Sequence, residues 1–211
     1  MARPSDPRLL VLHGLRLKGF AEPPVLADVY GLDLPSVEAH LAAAAEDELV
    51  LRRDGRVSGW TLTGAGRKEN ERLVAEELDA TDARQEIDGC YRRFLALNAD
   101  MLAICTDWQM RGVGDLAAVN DHSDAAYDQQ VIDRLVGLHD QVRPIIADLR
   151  TLLARFAPYG NRLRGALEKV AGGERDWFTK PIIDSYHTVW FEMHEDLLTT
   201  LGLDRSKEEQ P

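Results

Sequence analysis

Leu26 to Arg67 reads LADVYGLDLPSVEAHLAAAAEDELVLRRDGRVSGWTLTGAGR, and its periodicity changes several times along the run. Leu26, Ala27 and Val29 give a short helix an apolar face. Gly31-Leu32 break that helix into a turn. Leu34-Pro35-Ser36 open a second helix, with Asp33 or Leu34 at its cap and Val37 and Leu41 on one side. Ala42 to Ala45 keep it strongly helical with a small surface. Leu49-Val50-Leu51 then read as a strand, Arg52 to Arg56 as a tight turn with Asp54-Gly55 at its tip, and Val57 to Leu62 as the return strand. Thr63-Gly64-Ala65-Gly66-Arg67 launch the next helix.

Upstream, Leu9 to Leu12, Leu15 and Leu17 suit a first helix that stops at Gly19, after a polar entry over residues 1–7. Pro23-Pro24 suit a helix start, where the missing N–H costs nothing. Downstream the pattern stays helical from Thr63 to Gln109, with a break at Asp79 to Asp82 capped by Thr81 or Asp82. Ile87, Phe94, Met101 and Trp108 recur every seven residues. Tyr91, Asn98 and Cys105 fill the alternate seam, so this helix lies along another. Residues 110–128 read as a loop. Val131, Leu135, Leu138, Val142, Ile145, Leu149, Leu152 and Phe156 then mark a second long helix, with a kink expected at Pro144. Pro158 to Asn161 read as a turn, Leu163 to Val170 as a short helix ending at Gly172-Gly173, and Pro181 to Leu203 as the last helix.

The expected fold class is mainly α. Residues 1–79 form a helix-turn-helix unit with a small β-hairpin, 80–205 an antiparallel helical bundle, and 206–211 a frayed tail. The 211 residues are 45% hydrophobic and carry a net charge of −11. Residues 1–80 hold ten Lys/Arg against fourteen Asp/Glu, so this part is itself net acidic. No apolar run is long enough for a membrane span, and Met1 to Ser5 lack a signal core, so a cytoplasmic protein is expected. Cys90 and Cys105 read as buried small hydrophobes, not a disulfide or a zinc site.

Leu26-Ala27, Gly31-Leu32, Pro35-Ser36-Val37, Leu41, Leu49-Val50 and Leu62-Thr63-Gly64-Ala65-Gly66-Arg67 occur in the order seen in winged-helix regulators. The first third of the chain resembles such transcription regulators, broadly of the MarR and PadR kind. The resemblance implies a helix laid in the major groove of double-stranded DNA, braced by a wing on the backbone. Ser36, Glu38, Ala39 and His40 are then the outward candidates on the second helix, with Ala42 and Ala43 beyond them. Glu38 can accept from cytosine N4, and His40 can reach a phosphate or a base. Arg52, Arg53 and Arg56 make the wing the basic element and the phosphate contact. Arg67 and Lys68 read as surface charges. An acidic reader of DNA needs a dimer for affinity, so a homodimer held by the helical unit is expected. An alternative follows from the second helix, which has no Arg or Asn for a bidentate purine contact. It is a protein-interaction module that regulates a partner enzyme.

In the helical unit, Asn98, Trp108, His187 and Trp190 are candidates for a small-molecule effector site, where aromatics and a few polar groups converge. Core packing explains the same residues. Asn98 also suits a register-setting amide. His187 and His194 lie about 10 Å apart along a helix, too far to share one ion. Asp184 with His187 needs His122 or His139 to complete a set, and no metal or cofactor is expected. No GxSxG, HExxH, P-loop or Rossmann pattern occurs, so no enzyme is expected.

Overall fold

The computed structural model describes residues 4–55, 58–112 and 118–204. These residues are mainly helical. The chain enters at Asp6, whose carboxylate accepts from the N–H groups of Arg8 and Leu9 and caps α1 (Pro7–Lys18). Asp6 and Pro7 therefore belong to the helix start and not to a frayed entry, while residues 1–3 of that expected entry lie outside the described residues. Gly19 ends α1 at φ +75°, and α2 (Pro23–Tyr30) follows. Gly31, left-handed at φ 64° and ψ 33°, closes α2 and turns the chain. The Asp33 side chain accepts from Ser36 N at 2.9 Å and caps α3 (Leu34–Glu46).

The strands β1 (Val50–Arg53) and β2 (Gly59–Leu62) pair antiparallel, Val50 opposite Leu62 and Arg53 opposite Gly59. Ala21 adds a third rung by exchanging two backbone hydrogen bonds with Trp60. The hairpin connection includes Asp54 and Gly55, as expected, while Arg56 and Val57 lie outside the described residues. Thr63 caps α4 (Gly64–Asp79) by accepting from Gly66 N at 3.0 Å.

The long helices α5 (Arg84–Gln109) and α6 (Ala125–Leu152) pack along each other. Ile87, Phe94, Met101 and Trp108 are all buried, as the seven-residue spacing implies. Phe94 is core, so it is not open to a second chain. α6 continues through Pro144. The expected loop at 110–128 contains a short ribbon, β3 (Met110–Arg111) against β4 (Ala118–Val119). Two-residue strands carry too little pattern to read from sequence.

Pro158 to Asn161 are not a turn. A 3-10 turn at Ala154–Phe156 leads into α7 (Ala157–Ala171), with proline inside the first helical turn where it is tolerated. A short α8 (Asp176–Thr179) precedes α9 (Tyr186–Leu201), which starts later than expected because Ser185 caps it. Residues 181–185 are therefore not helical.

The buried apolar side chains fall into two clusters. One gathers Leu12, Leu15, Leu26, Val37, Leu41 and Leu62. The other gathers Phe94, Leu135, Phe156, Tyr186 and Leu197. α1 and α4 lean on α9 between them. Both cysteines are free and buried, and burial pushes the Cys105 thiol up to about 12. No helix among the described residues is long and apolar enough to cross a membrane.

Candidate nucleic-acid interface and the buried junction behind it

α3 turns Val37, Leu41 and Ala44 into the core. That leaves Glu38, Ala39, Ala42 and Ala43 exposed, with Ser36 and His40 half-buried. Glu38 apart, the outer face is thus short-chained, and α3 carries no Lys or Arg. On the hairpin, Arg52 grips Glu22 with two hydrogen bonds of 3.1 Å each and lies 3.4 Å from Asp54. Its charge is spent within the chain. Arg53 is exposed and makes no ion pair with a described residue. Arg67 and Lys68 are also exposed, at the start of α4. Of the two described hairpin arginines, Arg52 braces the hairpin against the residue before α2, and Arg53 stays exposed.

Behind this surface lies a buried ionic junction. Arg155, in the 3-10 turn after α6, is fully buried at its side chain. Its Nε donates to Glu77 Oε2 at 2.7 Å and its Nη2 to Thr200 Oγ1 at 2.6 Å, while Nη1 meets Asp196. Asp196 Oδ2 accepts from the Tyr159 hydroxyl at 2.9 Å. Its Oδ1 lies 3.0 Å from His13 Nε2 on α1. The other ring nitrogen of His13 faces the amide of Asn70 on α4. Glu77 Oε1 is buried without a hydrogen-bond partner among the described residues.

A second ring of charges closes the same seam nearer the surface. Lys18 Nζ reaches Asp184 at 2.7 Å and Glu192 at 2.9 Å. Arg162 reaches the same two carboxylates at 2.8 and 2.6 Å. The cavity enclosed by Tyr30, Tyr159, Arg155 and Glu192 has room for about one water molecule. Charges buried this well act as a lock. Breaking one partner strands the others in a low dielectric.

Sequence reading missed this junction. Its members are up to 187 residues apart, counting from His13 to Thr200. The available signal was polar residues set in apolar runs, His13 within Leu9 to Leu17 and Asp196 within Trp190 to Leu201.

The junction has a pH signature. Burial alone would raise the Asp184 carboxyl, but Arg162 and Lys18 pull it down to about 2. Burial likewise opposes the Asp196 charge, and Arg155 and His13 hold that carboxyl well below the usual range. A carboxylate whose folded pKa is depressed contributes stability above its unfolded value, near 4, and loses it as pH falls towards the folded one. The urea midpoint is therefore expected to fall as pH drops from about 4 towards 2. Asp184→Asn should make that fall shallower. An unchanged slope would remove the ion pairs from the stability account.

The four effector candidates do not converge. Trp190 Nε1 donates to Asn98 Oδ1 at 3.1 Å, so those two meet inside the bundle. Trp108 stacks on Phe178 at 4.3 Å and faces the His122 ring at 4.4 Å. Ten residues of helix, about 15 Å, separate it from Asn98. His187 is half-buried at the start of α9, where burial lowers its pKa. His122, at φ +59°, holds the Asp128 carboxylate at 3.0 Å through Nδ1 and ties the segment after β4 to α6. Asp184 is engaged by Lys18 and Arg162. Among the described residues no group of three or more His, Cys, Asp or Glu is placed to hold a metal ion. A groove of about 410 Å³ runs between α2 and α7, lined by Asp28, Tyr30, Asn161 and Arg162. No protein-family model, curated protein or solved structure matches the chain.

Proposed function

We propose that the chain is a DNA-binding transcriptional regulator. In this reading α2, the Gly31 turn and α3 are a helix-turn-helix, and β1–β2 is its wing. α3 enters the major groove, and Arg53, with Arg56 beyond the described residues, contacts the phosphates. α5 to α9 serve dimerisation or effector sensing.

The observation that carries this reading is the pairing of a short-chained α3 face with an unspent arginine on the adjoining hairpin. Ala39, Ala42 and Ala43 let the α3 backbone approach a groove closely, while Arg53 has no ion-pair partner among the described residues. The ionic junction supports it too, because α1 and α4 are tied to α9. A ligand or a second chain acting on the helical bundle then moves α3 with it.

Arg53→Ala is expected to weaken binding to all duplex sequences and lower the salt slope by about 1. Glu22→Gln should do the reverse, since it releases Arg52 to a phosphate. Equilibrium binding measured by fluorescence anisotropy at graded salt checks both. Unchanged affinity and slope in Arg53→Ala would overturn the wing contact.

One observation favours a second reading. The Arg52–Glu22 pair and the lack of Arg or Lys on α3 suit a winged helix that binds a partner protein instead of DNA. Absence of any salt-dependent duplex binding would select that reading.

A further inference from the structure

The entry to α1 and the second half of α4 border a groove of about 680 Å³, lined by Ser5, Leu9, Leu73, Glu76 and Glu77 among others. Steps of three and four residues put Leu73, Glu76 and Glu77 on one face of α4. The volume is that of a small-molecule site. Two of the lining residues hold a buried polar atom that the fold leaves unanswered. Glu77 gives Oε2 to Arg155, while its Oε1 finds no donor among the described residues. Ser5 Oγ is likewise buried without a partner among them. The Glu77 side chain is only 6% exposed, so bulk water does not replace the missing donor.

The neighbouring cations are engaged elsewhere. Arg8 reaches Asp47 and Glu69, and Arg72 reaches Glu69 and Glu76. Arg155 is one guanidinium set between two carboxylates, Glu77 and Asp196. Asp6 and Glu76, both exposed, add negative charge at the rim of the groove.

We propose that this groove is a binding site for a protonated amine on an aliphatic body. The chemistry of the two unanswered atoms selects that class. A carboxylate oxygen only accepts, so its ligand must donate. An ammonium brings three N–H groups and the opposite charge. Glu77 Oε1 and Ser5 Oγ take two of those donors. Leu9, Leu73 and Pro7 offer the aliphatic body an apolar wall. An anion meets only like charge here. A metal ion lacks its ligands, since no group of three His, Cys, Asp or Glu among the described residues is placed to hold one. The bound amine shares its carboxylate with Arg155, so the site adjoins the buried junction. The inference goes beyond the DNA reading and is tested without DNA.

The full-length chain, n-hexylamine and two controls of the same body, 1-hexanol and hexanoate, supply the test at matched ionic strength. Titration calorimetry gives the dissociation constant. At about ten times that concentration n-hexylamine is expected to raise the thermal midpoint by about 3 °C. The alcohol and the acid should leave it unchanged. Ser5→Ala, which lies outside the junction, should weaken n-hexylamine binding about fivefold with the ligand-free midpoint unaltered. Glu77→Gln should weaken it by about tenfold or more. If Glu77→Gln fails to fold, Ser5→Ala decides. A wild-type chain that takes up no n-hexylamine, an equal response to 1-hexanol, or an unchanged affinity in Ser5→Ala overturns the proposal.

Discussion

Replacing Arg155 with methionine is expected to cost about 3–5 kcal/mol of folding stability, because it leaves Glu77 and Asp196 buried as charges without their counter-ion. For a chain of this size the thermal midpoint should fall by roughly 10 °C. Urea denaturation followed by circular dichroism measures the loss directly. A further variant makes the cause explicit. Arg155→Met combined with Glu77→Gln and Asp196→Asn removes the stranded charges together with their partner. It should be more stable than Arg155→Met alone, since a neutralised junction pays no penalty for unpaired ions. If the triple variant is the less stable, the loss comes from packing, and the junction is not an ionic lock.

Gly66→Ala is the second large effect. A Cβ built on Gly66 falls 1.9 Å from the carbonyl oxygen of Leu49 and 2.9 Å from its carbon. That carbonyl cannot withdraw easily, since it accepts from Thr63 N at 2.9 Å and from the Thr63 hydroxyl at 3.2 Å. The α4 start must therefore lift off the hairpin, at a cost of about 3 kcal/mol. Gly64→Ala, two residues earlier, meets nothing within 4 Å and starts the same helix. It should be neutral or stabilise by about 0.5 kcal/mol through lower unfolded-state entropy. Thermal midpoints of the two variants separate backbone contact from a general effect of alanine.

Much of this architecture is legible in the residues. The seven-residue recurrence from Ile87 to Trp108 and the three-four spacing from Val131 to Leu152 each commit one helix face to burial, and α5 and α6 follow. Leu49 to Leu51 and Val57 to Leu62 bracket a glycine-containing turn, and a hairpin follows, its described return strand being Gly59–Leu62. The reading failed where one residue type serves two ends. Pro158 opens a helix as readily as it shapes a turn, and Gly160 sits inside α7 with only Ile146 near it. The α3 surface was also legible, because helix spacing separates Val37 and Leu41 from Glu38 and Ala39.

The junction was not legible. Lys, Arg, Asp and Glu are solvated far more often than buried, so Arg155 and Asp196 carry no local mark of their environment. Only the fold brings α1, α4, α7 and α9 to one point. The effector candidates show the converse problem, since Asn98 with Trp190 and Trp108 with Phe178 satisfy each other inside the bundle.

Selection of the wild-type chain against a randomised duplex library, followed by binding to the enriched sequence at graded salt, tests the regulator reading most directly. Enrichment of a two-fold symmetric site, with half-sites about one turn or roughly 34 Å apart and an affinity that falls steeply with salt, is the expected result. No enrichment and no salt-dependent binding at any sequence would contradict it and leave α3 and its hairpin as a surface for protein.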